Sequence, residues 1–352
     1  MPRYDLIVAG AGLSGLSCAI HFLHRQPGAS VLVLEKLPGE RYSRYHRICG
    51  EALSDKARRE MAPIELAGRR QRIRYAEERW PDGTAIRAKV SGHIVDRPLL
   101  LASMKENLLS LGGELIETPL LAIGGDEDGY LIRTAEDAHT CRWLVGADGA
   151  FSRVRSELFD EKPGSLIPVK QFLLPGSMER DDCIIFHFDQ RYDGAYRWEF
   201  PCGDVINAGF PKGTQEPFSD ALEESGRYIP IGALQNVVSG NCCLVGDAAA
   251  MVNPLSFGGI RIALLSGKRA AMAIAKGDLG GYQSWWERSP FSRRDIYEAY
   301  LECKTWSDEE MSAFVQPFRK GYSMIAFILA YLRWPGRRRM TSAYLHSFIY
   351  GW

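Results

Sequence analysis

The chain has 352 residues, enough for two domains or for one large α/β body with an insertion, and its 43 basic and 43 acidic side chains give a formal net charge of zero. Hydrophobic residues at 46% and charged residues at 24% are ordinary for a soluble globular protein, which excludes a wholly disordered or collagen-like chain. The balanced charge argues against a nucleic-acid partner, because binding to phosphates requires clustered Lys and Arg.

The eight cysteines are scattered along the chain without a CxxC pair. Most of them lie in apolar runs, where a free Cys behaves as a small hydrophobic residue. We therefore expect no disulfide framework and a reducing, cytoplasmic location, with membrane association as an open alternative. We also predict no metal site and a monomeric protein. The pattern of a signal peptide is not found, and no window reaches about 18 uninterrupted apolar residues, so no membrane-spanning helix is expected.

The first elements of the chain predict a βαβ unit. Residues 4–9 form a short apolar run that ends in glycine, which is typical of a buried parallel strand. A helix is predicted from Leu16 to about His24, and a second strand, Val31–Leu34, ends in Glu35. The turn between the first strand and the helix reads Gly10-Ala11-Gly12-Leu13-Ser14-Gly15, the GxGxxG fingerprint.

This fingerprint predicts a dinucleotide site. Its glycines permit a tight turn and a close backbone approach to a pyrophosphate, which rests on the positive end of the helix. Glu35 lies twenty positions after Gly15, where a carboxylate accepts hydrogen bonds from a ribose. The alternative is an ordinary glycine-rich loop, and the motif alone does not separate NAD from FAD.

The remaining elements follow in chain order. A hairpin is predicted from 72–80 and 84–90 around the turn Pro81-Asp82-Gly83, and a helix then runs from about 95 to Leu111. Between about 165 and 212 three β-like runs at regular spacing predict an antiparallel sheet. A strand precedes Gly246, a long helix is predicted over 259–275, and the chain after Asp278 is helical, aromatic and basic.

Two later motifs, which both follow predicted strands, resemble those of a known class of flavoproteins. Asp148-Gly149 follows one strand, and Gly246-Asp247 follows another and leads into a glycine-rich helix start. A carboxylate at such a strand end can bind a ribityl hydroxyl, and the glycines let backbone N–H groups approach a flavin carbonyl. With the fingerprint, these segments resemble the FAD-dependent oxidoreductases of the glutathione-reductase-like, p-hydroxybenzoate-hydroxylase type. The resemblance implies FAD as the cofactor and these binding residues: Gly10, Gly12, Leu13, Ser14, Gly15, Glu35, Lys36, Cys49, Gly50, Arg97, Asp148, Gly149, Gly246, Asp247, Pro254, Gly258, Gly259 and Ile260.

Three segments are similar to the geranylgeranyl reductase family, which reduces carbon–carbon double bonds in isoprenoid chains. Residues 49–54 resemble its CGE(G/A)xS segment, 196–201 its YxWxFP motif, and 246–271 its form of the GD segment. The resemblance covers residues 1 to about 275. Two positions depart from it: Ala250 stands where many relatives have Gly, and Phe257 replaces a glycine or small residue.

The resemblance implies hydride transfer from the reduced flavin N5 and a proton from a site near Cys49. Cys49 and Glu51 are the catalytic candidates, with a buried packing thiol and a solvated loop Glu as the alternatives. Tyr196, Trp198 and Phe200 alternate along a strand and could line an apolar tunnel or be plain sheet core. Pro201 and Phe257 complete the predicted substrate site. Only one GxGxxG occurs, so the sequence shows no second nucleotide-binding domain for NAD(P)H. The reductant is therefore left as either transiently bound NAD(P)H or an electron-donor protein such as a reduced ferredoxin.

Two other functions stay open. An FAD-dependent monooxygenase or halogenase shares the fold, but halogenases carry WxWxIP where this chain has Tyr196 and Phe200, and hydroxylases often have His where Ala250 stands. A flavin-binding electron-transfer protein at a membrane would have a pocket filled by side chains, and Phe257 would suit such a plug.

The expected fold is α/β: a Rossmann-like FAD-binding domain with an inserted antiparallel β-sheet substrate domain and a helical C-terminal region. We expect the FAD-binding domain in 1–70, 92–162 and 236–278, the β-rich domain in 71–91 and 163–235, and the helical region in 279–352. Residues 321–334, followed by Arg337-Arg338-Arg339, predict either a helix at a membrane interface or a buried helix closing a lipid pocket, and the second is preferred.

Overall fold

A computed structural model describes residues 1–126, 129–214 and 218–350, and the strands of these residues form two sheets of eight strands each. The strands are β1 (Arg3–Ala9), β2 (Val31–Leu34), β3 (Ala52–Ser54), β4 (Arg69–Arg79), β5 (Ala85–Val95), β6 (Glu114–Ile116), β7 (Ala122–Asp126), β8 (Gly129–Arg133), β9 (Ala138–Gly146), β10 (Ser165–Pro175), β11 (Cys183–His187), β12 (Arg197–Cys202), β13 (Val205–Pro211), β14 (Glu223–Ile231), β15 (Val238–Ser239) and β16 (Cys242–Leu244). The α-helices are α1 (Leu13–Arg25), α2 (Gly39–Arg47), α3 (Asp55–Glu60), α4 (Arg97–Ser110), α5 (Arg153–Leu158), α6 (Ile260–Ile274), α7 (Gly280–Glu287), α8 (Arg294–Cys303), α9 (Asp308–Val315), α10 (Met324–Arg333) and α11 (Arg338–Tyr350).

The first sheet has a parallel centre and confirms the predicted Rossmann-like arrangement. Its main order is β15-β16-β9-β1-β2-β6, and β1 pairs in parallel with both β2 and β9, while β16 pairs in parallel with β9. The hairpin β7–β8 joins the edge of β9 in antiparallel orientation. Because β1, β9 and β16 run in the same direction, the turns that follow them meet at one edge of the sheet.

Helices cover this sheet, and the apolar runs of the sequence explain why. All four residues of β2 are buried, as expected for a strand with both faces covered. Helix α1 packs closely on α6: a Cβ on Gly267 would collide with the Ser14 carbonyl, so the two backbones approach as only glycine allows. Helix α1 begins at Leu13, earlier than the predicted Leu16, because the glycine turn itself opens the helix.

The second sheet has the order β14-β10-β13-β12-β11-β4-β5-β3. The predicted hairpin is confirmed as β4 and β5, and the antiparallel pairing of β11, β12 and β13 is also confirmed. Strand β11 joins the hairpin in parallel orientation, with Cys183 opposite Tyr75. Strand β3 pairs with β5, so residues 52–54 lie in the second sheet although the sequence boundaries grouped them with the first domain.

The C-terminal helices bury a cluster of aromatic side chains against β4. Trp306, Phe314, Phe318 and Phe327 belong to this cluster, and so does Trp80 at the end of the first hairpin strand. Helix α10 buries only Phe327 and Ala330 and exposes its other large apolar side chains, so the preferred prediction of a buried helix is wrong for that face. Within the described ranges, no helix has both the length and the apolar character needed to cross a bilayer.

Candidate active site

A cavity of about 310 Å³ lies where β1, β9 and β16 end. Among the predicted binding residues, it is lined by Gly10, Gly12, Leu13, Ser14, Glu35, Lys36, Arg97, Asp148, Gly149 and Asp247. Two other clefts, of about 430 and 400 Å³, are lined almost wholly by charged side chains and contain no motif residue. We assign the smaller cavity to the cofactor because the motifs of three distant chain segments converge there.

The glycine turn is shaped by close backbone contacts. Gly10 has a φ of +106°, and a Cβ there would collide with the Ala147 carbonyl oxygen. A Cβ on Gly15 would collide with the Gly10 carbonyl oxygen, so Gly15 serves the packing of the turn and does not line the cavity. Gly12 differs, since its nearest obstacle is the His46 ring at 3.6 Å, and it leaves the start of α1 open to a ligand.

Glu35 and Lys36 hold the turn in place. The two carboxylate oxygens of Glu35 accept hydrogen bonds from the backbone N–H groups of Ala11 (2.8 Å) and Leu37 (2.9 Å). The Lys36 ammonium donates to the Asp148 carbonyl at 3.4 Å. A carboxylate oxygen has a second lone pair, so Glu35 can still accept from a ribose hydroxyl while it orders the turn.

Four residues that line the cavity carry buried polar atoms without a hydrogen-bond partner in the described structure. They are His46 Nδ1, Arg97 Nε, Asp148 Oδ1 and Arg227 Nε. Buried polar groups normally have partners, so this cluster indicates a polar ligand. Asp148 uses its other oxygen to accept from the N–H groups of Arg153 and Val154, at 2.6 and 3.2 Å, which leaves Oδ1 for that ligand. The glycine turn, the charged side chains of Glu35 and Lys36, and these unpartnered polar atoms fit FAD.

Arg227 and His46 are site residues that sequence reasoning missed. Arg227 donates to Asp247 Oδ2 at 2.9 Å and to the Ile48 carbonyl at 3.2 Å, so it joins the GD motif to the CGE segment. Burial, with the charges of Arg97 and Arg227, lowers the pKa of His46 to about 2, so its ring is neutral. Neither residue belongs to a motif: Arg227 is a polar residue within β14, and His46 lies in a short basic helix.

The other predicted cofactor residues lie outside this cavity. Gly246 packs against Ser14, where a Cβ would stand 2.7 Å from the hydroxyl oxygen. Pro254, Gly258 and Gly259 belong to the segment that leads into α6, and Ile260 is the first residue of that helix, whose first N–H groups have no intrahelical partner. Gly259 is also close to Asp247, since a Cβ there would lie 3.9 Å from its Oδ1.

The catalytic candidates lie on one tight loop. The Glu51 backbone N–H donates to Cys49 Sγ at 3.3 Å, and Glu51 adopts a φ of +59°. Its carboxylate is buried, not solvated, and accepts from the Arg97 N–H at 3.0 Å. Burial raises the pKa of Glu51 to about 7 although Arg97 and Arg70 oppose that shift. Glu51 is therefore a carboxyl that holds its proton close to neutral pH.

The two family segments contact each other through Asn207 on β13. Trp198 Nε1 donates to Asn207 Oδ1 at 3.0 Å, and Asn207 Nδ2 donates to the Cys49 carbonyl at 2.8 Å. Phe200 covers Gly50, where a Cβ would lie 2.5 Å from the ring. The sequence did not indicate Asn207, because one buried polar residue in a strand has no local pattern.

The predicted substrate residues form one aromatic cluster. Tyr196, Trp198 and Phe200 are buried together, and Phe257 packs on Tyr196 with ring centroids 5.6 Å apart. The Tyr196 hydroxyl donates to the Ser256 carbonyl, and Pro201 follows Phe200 in β12 and is also buried. Phe257 has a φ of +47° and Ala250 one of +54°, so both departures from the family pattern occupy backbone conformations that favour glycine.

Comparisons with known proteins agree with this geometry. No family model matches the chain. The chain is 26% identical to digeranylgeranylglycerophospholipid reductase 1 of Methanothermobacter thermautotrophicus, over 91% of each chain. Its fold is similar to that of a geranylgeranyl bacteriochlorophyll reductase-like protein from Thermoplasma acidophilum, with a TM-score of 0.79, 17% identity and coverage of 97% and 100% of the two chains.

A second solved structure shows the wider fold. The myxobacterial chondrochloren halogenase, a variant of FAD-dependent halogenases, aligns with a TM-score of 0.67 and 17% identity over 99% of this chain and 97% of that one. At this identity the likeness concerns the fold alone. The CGE and YxWxFP segments, and not the fold, distinguish a reductase from a halogenase. The reductase relative aligns along nearly its whole length, and together with the fold and the motif segments it supports an FAD-dependent oxidoreductase of the geranylgeranyl reductase type.

Proposed function

We propose that the chain saturates carbon–carbon double bonds of an isoprenoid chain of the geranylgeranyl type, free or as part of a prenyl lipid. The single observation that carries the proposal is the hydrogen-bonded series Trp198–Asn207–Cys49, which joins the two segments typical of the reductase family. The name of the relative from Methanothermobacter thermautotrophicus, a digeranylgeranylglycerophospholipid reductase, supports the same substrate class.

FAD held by Gly12, Glu35 and Asp148 would, when reduced, supply hydride to one alkene carbon, and the protein would supply a proton to the other, so that the double bond would gain two hydrogen atoms. We assign proton delivery to the loop of Cys49 and Glu51. A carboxyl with a pKa of about 7 carries a transferable proton at neutral pH, which is the condition for efficient general acid catalysis. Cys49 is half-buried, and its backbone is fixed on one side by Asn207.

The aromatic cluster is proposed as the wall of the substrate site. An isoprenoid chain has no polar group to be recognised, so shape and apolar contact must position its double bond. The bond between the Tyr196 hydroxyl and the Ser256 carbonyl fixes the position of that ring beside Phe257. Trp198 lies over Gly209, where no side chain fits beneath the indole, and this contact sets the orientation of the indole.

The proposed function also includes an electron donor and a contact with a membrane. NAD(P)H and a reduced ferredoxin are the two classes of donor we propose, and the experiment below uses dithionite so that its result does not depend on the choice. A prenyl lipid lies in a bilayer, so a peripheral membrane contact is part of the proposed function.

The test is a single-turnover reaction. The FAD-loaded protein is reduced with dithionite without oxygen and mixed with a geranylgeranyl lipid in detergent. We expect flavin reoxidation at a rate that depends on lipid concentration, with a product two mass units heavier per reduced bond. Gain of an oxygen or halogen atom after admission of air would instead establish the monooxygenase or halogenase alternative. Reoxidation only by an added electron acceptor, with the lipid unchanged, would establish the electron-transfer alternative.

Two variants sharpen this test. Cys49→Ala should retain FAD and slow reoxidation by the lipid by roughly 10²-fold, the usual contribution of one general acid. Cys303→Ala is the control, because that thiol is buried in the C-terminal aromatic cluster and not beside the Cys49 loop. Equal rates for both variants would remove Cys49 from proton delivery.

A further inference from the structure

The outer face of α10 is an unusual surface for a water-soluble helix. Ile325, Ile328, Leu329 and Leu332 are 71%, 53%, 59% and 61% exposed, and Met324 and Tyr331 are exposed too. Positions 325, 328, 329 and 332 recur at helical spacing, so they form one continuous apolar stripe. Among the described residues, half of the exposed large apolar side chains lie within 324–349, including Phe348 and Ile349 of α11. A contiguous patch of this kind marks an interaction surface.

The region around this stripe is also strongly basic. Residues 311–352 contain six Lys and Arg and no Asp or Glu, in a chain whose net charge is zero. Arg319 and Arg339 are paired with Asp82 and Glu298 of neighbouring elements. Lys320, Arg333 and Arg338 are exposed, and the described part of the chain gives them no acidic partner. Two of these three charges, those of Arg333 and Arg338, lie at the end of the stripe.

Aromatic side chains lie at the same end. The Arg338 guanidinium stacks 5.2 Å from the Tyr331 ring centre and donates to the Tyr331 carbonyl at 3.1 Å, and Arg333 lies 5.9 Å from the Trp334 ring. Tyr and Trp beside Arg at the margin of an apolar surface are typical of the headgroup level of a bilayer. Helix α10 has ten residues and is about 15 Å long, half the thickness of a hydrocarbon core, so it can lie in the interface but not span it.

We propose that this stripe docks the protein on an anionic lipid bilayer, with the apolar face at acyl-chain depth and Lys320, Arg333 and Arg338 at the anionic headgroups. A second copy of the chain is a poorer occupant, because two-fold contact through the stripe would bring like charges together without acidic residues to offset them. The inference rests on the proposed function in one respect: a lipid substrate that must leave a membrane gives the protein a reason to dock there. The docking itself is independent of turnover.

The stripe is connected to the proposed substrate site by a continuous series of aromatic contacts. From Phe327, on the buried face of α10, ring-centroid distances are 5.9 Å to Tyr322, 5.9 Å on to Tyr344, 6.4 Å on to Trp80, 4.3 Å on to Phe188 and 5.8 Å on to Tyr196. Packed aromatic side chains therefore join the buried face of α10 to the residues beside the CGE segment.

The experiment measures co-sedimentation of the FAD-loaded protein with vesicles of phosphatidylcholine containing phosphatidylglycerol. We expect binding that weakens when phosphatidylglycerol is omitted or salt is raised. The double variant Ile325→Asn/Leu329→Asn should lower the partition coefficient at least tenfold, because the apolar face no longer enters the interface. Removing both charges in Arg333→Gln/Arg338→Gln should lower it by roughly fivefold per residue.

The matched control is Leu109→Asn/Leu222→Asn, which removes two similarly exposed leucines from other surfaces and should leave the partition coefficient unchanged. Retained FAD absorbance verifies folding of every variant. Wild-type protein that stays in the supernatant, or a dimer in vesicle-free solution that the α10 variant alone dissociates, would overturn the proposal. Turnover with detergent-solubilised lipid should survive the α10 variant, so a failure of the proposed reaction is distinguishable from a failure of docking.

Discussion

The side-chain amide of Asn207 donates a hydrogen bond to the backbone carbonyl of Cys49, a residue 158 positions away in the chain. The same amide group accepts from the Trp198 indole, so one buried side chain serves two segments that both resemble the reductase family. The position of the Cys49 loop therefore depends on a strand of the second sheet, not only on the cofactor domain that carries it.

Replacing Asn207 tests this dependence. Asn207→Leu keeps a similar volume but leaves the Trp198 N–H and the Cys49 carbonyl without their partner. We expect the free energy of unfolding in urea to fall by about 1–3 kcal/mol, and single-turnover reduction to slow roughly tenfold or more through misplacement of the loop. Asn207→Asp separates the effects, because it keeps the acceptor for Trp198 and loses the donor to Cys49. Full turnover in Asn207→Asp would show that the Cys49 bond does not matter.

Gly12→Ala should separate cofactor binding from folding. The added Cβ meets only the His46 ring at 3.6 Å, and the Gly12 φ of −74° suits alanine, so the apoprotein should keep its stability. The methyl group would occupy the approach to the start of α1. We therefore expect the affinity for FAD, measured by calorimetric titration, to fall about tenfold or more. Gly281→Ala, in α7, is the control and should bind FAD normally. An unchanged affinity in Gly12→Ala would place the pyrophosphate elsewhere.

Glu51 should impose a pH dependence on stability. Its pKa is raised from 4.5 to about 7 in the folded state, so the folded state binds more protons than the unfolded chain between these values. Stability from this group is therefore lost as pH rises from about 4.5 to about 7, by an amount on the order of 3 kcal/mol. Glu51→Gln cannot ionise, and we expect it to unfold at higher urea concentration than wild type at pH 8 and at a similar concentration at pH 4, with FAD saturating throughout.

The control for this prediction is Glu65→Gln, which removes an exposed carboxylate from a neighbouring surface segment. Its stability should follow the wild-type pH curve. If Glu51→Gln also follows that curve, the Glu51 carboxyl ionises normally and is no proton store for the reaction.

Phe257→Gly tests whether the Phe257 ring limits access to the substrate site. The variant relieves a backbone φ of +47° and removes a ring that packs between Tyr196 and Tyr300. For prenyl substrates of increasing length, we expect kcat/KM to rise most for the longest, by roughly tenfold. Phe257→Leu keeps the side-chain bulk in part and should give an intermediate value. A rise that is equal for all lengths, or no rise, would show that Phe257 does not shape the pocket.

Much of the cofactor domain could be predicted from the sequence because its signals are local. Strand β2 was predicted residue for residue, and the long helix after Phe257 was predicted to within one residue at each end. Apolar runs and glycine turns act over a few residues, where backbone sterics and burial dictate the structure. The GxGxxG, DG and GD turns then determine where the cavity forms, because each follows a parallel strand.

What the sequence did not show depends on contacts between distant segments. The parallel pairing of β11 with β4 joins residues more than a hundred positions apart, and no pattern in either strand specifies the partner. The roles of Arg227, His46 and Asn207 depend on contacts with residues that are distant in the sequence. The solvated Glu51 alternative failed for the same reason, since the polar loop that carries it is covered by α4 and the second sheet. Helix α10 was expected to be buried from its hydrophobicity alone, which does not reveal which faces have neighbours.

The sheet order of the cofactor domain has a consequence for biosynthesis. Strands β1, β9 and β16 are neighbours, yet the turns that follow them begin at residues 10, 147 and 246. The βαβ unit of β1, α1 and β2 can form early during translation, but the wall that carries Asp247 is made only after more than two hundred further residues have been synthesised. The nascent chain therefore has no complete flavin pocket, and cofactor loading is a late step that follows assembly of both sheets. Cellular shortage of flavin should accordingly leave a folded apoprotein rather than an arrested early intermediate.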